Sequence, residues 1–304
     1  GLDLKRTTTS VPRNSRQVKL PRVAIYHSWI STQDEGWSRY TFEQFGVPYT
    51  TINKDHLKAG GLRNKFDVIL IPRTGGSASD FINELDKKFG PMPYTKTKEF
   101  PSHGYPDATD DMTGGPGFLG MENLKNFIED GGVVISLDNS SSILATTGIA
   151  TALTSYDASG LFHPGSIVQA KVRGKHPVVY GFPESFPIFK GNGPLLQVRK
   201  NNRDMMLLQY GNKPLKDEEK YTGPILGMPA QKENAEKPVA PKDVPYLISG
   251  MVRNEQTIIG HGAIFNVPVG KGRIIAFTFD PLHRFLNLHD APLVWNTLIN
   301  WDNL

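Results

Sequence analysis

Phe66-Asp67-Val68-Ile69-Leu70-Ile71-Pro72 is the stretch of this 304-residue chain from which the fold is read. Its apolar run is too short for a helix and apolar at every position, which is the pattern of a strand covered on both faces. Arg22-Val23-Ala24-Ile25-Tyr26 repeats the pattern upstream and Val133-Val134-Ile135-Ser136-Leu137 downstream, with Tyr49-Thr50-Thr51-Ile52 as a weaker copy. Trp37, Tyr40, Phe42 and Phe45 lie at near-helical spacing between two of these runs, and Gly46 stops them. Met121, Leu124, Phe127 and Ile128 form a second helical stripe closed by Gly131-Gly132, and Ser140 to Thr147 reads as a short helix. Strands alternating with helices predict βαβ units around a parallel sheet.

Further out the pattern loosens. Ile167–Val172, Leu195–Val198 and Met206–Tyr210 read as strands, and an ordered pattern returns at Tyr246–Gly250. Ala263–Val267 and Arg273–Phe279 flank Pro268-Val269-Gly270-Lys271-Gly272 as a hairpin would. Val294, Leu298 and Trp301 mark a closing helix over 291–301. Residues 89–117, dense in Gly, Pro and Thr, predict a long surface excursion, and 211–243, polar and charged, a mobile insertion. Residues 1–20 read as a linker or leader, leaving 21–304 as one α/β domain.

Composition narrows the function. There is no cysteine, so disulfides, thiolate metal sites and a thiol nucleophile are excluded. The net charge of +4 is concentrated in Lys5, Arg6, Arg13, Arg16, Lys19 and Arg22, without the basic, aromatic-studded face that nucleic acid requires. No run of about 18 apolar residues spans a membrane, and Gly1 to Arg6 lack the apolar core of a signal peptide.

Several segments together carry a family resemblance. Arg22 to Tyr26, Asp34-Glu35-Gly36-Trp37-Ser38-Arg39, Phe45-Gly46-Val47-Pro48-Tyr49 and Phe66 to Pro72 come in that order. They are followed by His176-Pro177-Val178-Val179-Tyr180-Gly181, Val267 to Arg273 and Asp280-Pro281-Leu282-His283-Arg284. The series resembles the class I glutamine amidotransferase-like domain found C-terminal to bacterial zinc carboxypeptidase-like proteins, over most of residues 20–300. The resemblance implies a flavodoxin-like fold with helices on both faces of a mostly parallel sheet, extended by antiparallel strands in the second half. It also implies an exported parent protein with an upstream peptidase domain, to which the basic leader would be the linker.

In active members a Cys sits on a strained turn between strand and helix, and a His-Pro-Glu run follows the last strand. Here the turn falls at Asp138-Asn139-Ser140-Ser141, where no bracketing glycine favours a sharp elbow. The run reads Asp280-Pro281-Leu282, so nucleophile, base and orienting acid are all replaced. Ser140 or Ser141 with His283 or His289 is the candidate for a divergent serine hydrolase, although Asp138 to Ser142 also suits a helix cap. Arg73-Thr74-Gly75-Gly76 follows a strand and reads either as a backbone N–H nest for an anion or as a plain glycine turn. Asp34 and Glu35 suit a helix N-terminus. They equally suit a ligand cleft at the strand C-terminal edge with Tyr26, His27, Trp29 and Trp37 as its aromatic wall. His283 and Arg284 are candidates to bind an anion or pair with Asp280 or Asp290.

Gly114-Gly115-Pro116-Gly117 follows no strand, so no dinucleotide cofactor is expected. None of the eight histidines has Glu three residues on, so the catalytic zinc site of a carboxypeptidase is not in this chain. No metal is assigned, His103 with Asp107, Asp110 and Asp111 reading as a solvated acidic loop. The expected function is a non-catalytic accessory domain whose partners are the upstream peptidase domain or a peptide or glycan ligand. A serine hydrolase and a stand-alone peptide- or glycan-binding protein are the alternatives.

Overall fold

The computed structural model describes residues 17–213 and 244–304. Most of the leader (1–16) and most of the insertion (from 214) therefore lie outside the described residues. The first half alternates: β1 (Val23–Tyr26), α1 (Gln33–Gln44), β2 (Thr50–Ile52), α2 (Lys54–Ala59), α3 (Leu62–Lys65), β3 (Val68–Ile71), α4 (Ala78–Asn83), α5 (Gly117–Glu129), β4 (Val133–Ser136) and α6 (Asn139–Thr146). The second half is mostly strand: β5 (Leu153–Tyr156), β6 (Ser166–Val172), β7 (Ser185–Lys190), β8 (Leu195–Val198), β9 (Met206–Tyr210), β10 (Leu247–Gly250), β11 (Gly262–Val269) and β12 (Gly272–Phe277), closed by α7 (Ala291–Ile299).

Five strands form a parallel unit in the order β2-β1-β3-β4-β12. Counted along the chain that is the 2-1-3-4-5 order of flavodoxin-like folds. The sheet then continues antiparallel through β11, β9, β6 and β10, with β7 on β6, and β8 on β11 carrying β5. The β11–β12 hairpin turns through Gly270 and Lys271, with Val269 opposite Gly272.

Alternation within each strand builds two cores. Val23, Ile25, Val68, Leu70, Val133 and Ile135 pack toward Phe42 of α1 and Val294 and Leu298 of α7. Ala24, Tyr26, Ile69, Ile71 and Val134 face Leu57, Leu62, Phe81, Leu124 and Ile143 on the five remaining helices. Every residue of β1, β3 and β4 is buried, which is why these strands read as continuous apolar runs. Helices α2 and α4 are set by caps: Asn53 accepts the Asp55 N–H, and Ser77 exchanges hydrogen bonds with Asp80. Between α4 and α5 the chain makes the bridges Leu85–Thr113 and Tyr94–Thr109. It packs on α2 through Asn53 Nδ2 to the Ala108 carbonyl (3.2 Å) and Thr109 Oγ1 to Asp55 Oδ2 (2.6 Å).

At the opposite edge Asp67 ties β1 to β3. Its carboxylate accepts Arg22 Nε (3.0 Å), Arg22 Nη2 (2.9 Å), the Arg22 backbone N–H (2.9 Å) and Arg63 Nη1 (2.6 Å). Burial alone would raise this carboxyl, but the Arg22 and Arg63 donors outweigh it and hold it well below the ordinary carboxylate range. A depressed folded-state value contributes stability above the unfolded value near 3.9 that disappears as pH falls through the folded one. Asp67→Asn is expected to cost about 1–3 kcal/mol at pH 7, with the deficit shrinking toward pH 3, as read by urea unfolding at the two pH values.

Candidate functional site

Strand order reverses at β1 and β3, so the segments leaving the C-terminal ends of β1, β3, β4 and β12 converge on one crevice. Its apex is Asp138, between β4 and α6. The backbone there has φ 53° and ψ −122°, a region that costs a residue with a Cβ roughly 1–3 kcal/mol. The conformation is held from several sides. The Asp138 N–H donates to the Phe279 carbonyl at 3.3 Å. Its Oδ1 accepts the Asn139 N–H (2.8 Å), capping α6, and lies 3.3 Å from Arg73 Nε. Gly193 crowds Oδ2 so closely that a Cβ there would stand 2.1 Å from it. The sharp elbow therefore exists without bracketing glycines, correcting the expectation drawn from their absence; capping and the Arg73 bridge supply what glycine would have supplied.

Arg73, leaving β3, joins Asp138 to Asp34 in the first turn of α1, with Nη1 3.1 Å from Asp34 Oδ2. Behind them Asp280, following β12, is buried and accepts the Leu282 N–H (2.9 Å). Burial pushes the Asp280 carboxyl up to about 8, the charges of Asp34 and Asp138 reinforce that, and Leu282 and Arg73 oppose it. Acceptor atoms of Asp34, Asp280 and His283 all lie within 4.8 Å of one another. The His283 ring stacks on Phe189 (4.8 Å between centroids, 12° between planes), and burial lowers its pKa against the pull of Asp34. His283 thus adjoins Asp280 and Asp34, whereas Asp290 pairs with His289 (2.9 Å). Beneath Asp138 lies Lys190 of β7, fully buried, its ammonium bonded to the Gly193 carbonyl (2.8 Å). Burial draws its pKa down to about 8 against the attraction of Asp138.

Gly75 and Gly76 both have positive φ, 69° and 71°. The backbone N–H groups of Thr74 and Gly75 do point together, but they bond Asn139 Oδ1 at 3.1 and 3.3 Å, and Asn139 Nδ2 returns a bond to the Gly76 carbonyl (3.1 Å). Of the two readings of Arg73–Gly76, the anion nest is filled by a side-chain amide, which leaves the glycine turn. Ser140 and Ser141 are also committed: Ser140 Oγ donates to the Pro72 carbonyl (2.5 Å), and Ser141 Oγ bonds the Phe277 (2.7 Å) and Ser136 (3.0 Å) carbonyls. Both side chains are buried, so the geometry speaks against either as a nucleophile.

The expected aromatic wall is divided. Tyr26 lies under the sheet, against Phe81, and donates to Glu84 (2.7 Å). His27 is buried beside Glu35 (3.4 Å), edge-on to Trp29, which meets Tyr94 of the 84–116 segment. Trp37 instead touches Tyr40, which touches Phe285, and these rings with Arg284 and Leu286 line an open cleft of about 650 Å³ beside Asp34. Tyr26 belongs to β1 and His27 and Trp29 to the connection before α1, whereas Trp37 lies on α1 and turns toward Tyr40, away from the side on which Glu35 meets His27. His103 stacks between Tyr94 and Phe100, and the ligand-type side chains that do converge among the described residues are Asp34, Asp280 and His283. All three are among the residues named as ligand candidates, but their convergence on one point is visible only in the fold. Lys190, Gly193, Phe285 and the role of Asn139 were missed, although the inward alternation of Phe186, Ile188 and Lys190 would have exposed the lysine.

No family model and no curated protein matches the sequence. Among solved structures the chain is similar to PurLQS from Thermotoga maritima, at 11% identity and a TM-score of 0.51 over 94% of this chain and 100% of that one. It is also similar to a ThuA-like protein from Bacteroides uniformis (12%, TM-score 0.44, 96% and 95% covered). A glutamine amidotransferase from Thermotoga maritima follows (9%, 0.42, 91% and 87%). At these identities such likeness speaks to fold alone, and the PurLQS comparison together with the strand order carries it. The chain has a flavodoxin-like α/β fold, similar to that of PurLQS. No helix among the described residues is long and apolar enough to cross a membrane.

Proposed function

We propose that this chain is a non-catalytic, ligand-binding accessory domain with an amidotransferase-like fold, borne by an exported zinc carboxypeptidase-like protein whose peptidase domain lies upstream. The observation that carries the reading is the elbow. A carboxylate occupies its apex and is tied to Arg73, and the neighbouring N–H pair is already bonded to Asn139. Neither a thiol nucleophile nor a free N–H cradle is available for thioester chemistry. What the crevice does offer is the Arg73–Asp34–Asp138 polar group beside the Trp37–Tyr40–Phe285 shelf. Charged groups that pair with amides and hydroxyls, next to flat apolar rings, suit a peptide or glycan chain.

Calorimetric titration with a panel of peptides and oligosaccharides tests this. Arg73→Ala is expected to weaken binding at least tenfold, since it removes charge-assisted bonds of about 1.5–3 kcal/mol. Ammonia release from glutamine is expected to be absent. Glutamine hydrolysis that disappears in Asp138→Ala would overturn the reading, as would the lack of any ligand in the panel. The stand-alone alternative uses the same crevice, and an immunoblot separates the two: accessory status requires a native band well above 33.7 kDa.

A further inference from the structure

We infer that Asp34, Asp280 and His283 form a binding site for one divalent transition-metal ion of the Mn²⁺, Fe²⁺ or Zn²⁺ type. The three come from separate elements: the first turn of α1, the segment after β12, and the turn at 283–285. Their nearest donor atoms lie within 4.8 Å of one another. Three ligands about 2.0–2.2 Å from one ion stand roughly 3.8 Å apart when evenly spread around it, so closing the set needs each donor to move inward by up to about 0.6 Å, which side-chain rotation can supply.

The donors are free to bind. Asp280 is 5% exposed, its Oδ1 takes the Leu282 N–H, and among the described residues nothing donates to its other oxygen. Neither ring nitrogen of His283 has a hydrogen-bond partner among the described residues, while stacking on Phe189 fixes the plane of the ring. Arg73 engages Asp34 through Oδ2, leaving Oδ1. Three carboxylates, those of Asp34, Asp138 and Asp280, converge on a buried edge where Arg73 bonds two of them. Buried carboxylates gathered in this way are stabilised by pairing or by a metal ion.

Ligand type selects the ion. One imidazole with two carboxylates suits Mn²⁺, Fe²⁺ or Zn²⁺, whereas Ca²⁺ requires six to eight oxygens and Mg²⁺ keeps oxygen and water ligands. The inference goes beyond the ligand-binding proposal and is tested with the metal alone, so failure of one leaves the other standing.

The experiment is a titration of the chelator-treated chain with MnCl₂, followed by the electron paramagnetic resonance signal of free Mn²⁺, and with ZnCl₂ by calorimetry. One ion per chain is expected, with CaCl₂ at least tenfold weaker. Asp280→Asn and, separately, His283→Gln are expected to lower affinity at least tenfold. Asp110→Asn, in the exposed acidic loop, is expected to leave it unchanged. His283 lies at a partly exposed turn, so its variant remains informative if Asp280→Asn fails to fold. Absence of saturable binding overturns the inference. So does affinity kept within threefold in folded His283→Gln, or loss of binding in Asp110→Asn.

Discussion

Gly272→Ala is expected to destabilise the protein by at least about 3 kcal/mol, a loss that leaves much of the chain insoluble on expression. A Cβ at this first residue of β12 would stand 2.1 Å from the Gly132 carbonyl oxygen and 2.2 Å from that of Ile128. Both oxygens belong to the main chain at the end of α5 and the start of β4, so no rotamer change relieves the clash. The hairpin would have to shift against β4, its parallel neighbour from Arg273 to Ala276. Overpacking that side-chain adjustment can absorb costs about 1–3 kcal/mol, and backbone clashes cost more. Gly174→Ala is the control, since nothing lies within 4 Å of its Cβ position. Urea midpoints and soluble yield of the two variants give the comparison, and equal midpoints would refute the packing argument.

Lys190 gives the second large effect, visible only as a function of pH. Its folded-state pKa is drawn down to about 8 from 10.5 by burial. Below pH 8 the lysine is charged in both states and the folded protein bears the full cost of the buried ammonium. As pH rises from 8 toward 10.5 the folded state releases its proton first, so stability rises. The interval corresponds to about 3 kcal/mol at 1.36 kcal/mol per unit. Buried Tyr26, Tyr210 and Tyr246, all raised above 10, act in the opposite sense above that value, which makes pH 8–10 the window to read. Denaturant unfolding of the native chain should show stability climbing across this window relative to Lys190→Met. Parallel pH profiles for the two proteins would remove the buried charge from the account.

What the sequence made legible follows from how each element is covered. Strands β1, β3 and β4 are buried on both faces, and their unbroken apolar runs give them away. Helices α2 and α4, six residues each, are too short to show periodicity and declare themselves only through Asn53 and Ser77. In β7 the mixture Ser-Phe-Pro-Ile-Phe-Lys hides an inward lysine among apolar neighbours. Asp34, Arg73, Asp138, Asp280 and His283 were nameable because each follows a recognisable strand or opens the helix after one. Their partners Gly193 and Phe189 lie on the antiparallel extension, and only the folded sheet carries that extension across to the elbow. The division of Trp29 from Trp37 was likewise set by packing, since Glu35 turns toward His27 while Trp37 turns toward Tyr40 and Phe285.

Asn139 has a consequence for how this crevice can change over evolutionary time. A single substitution placing a thiol at position 138 would put it on a turn that is already strained. It would still face two backbone donors satisfied by the neighbouring amide, and an incoming carbonyl would have to evict that amide. Removing Asn139 first would leave the N–H groups of Thr74 and Gly75 without their internal acceptor and gain no chemistry in return. Each single step is unfavourable or idle alone, so the two adjacent codons act as a ratchet, and thioester chemistry would further need a base and an acid where Asp280 and Leu282 now stand.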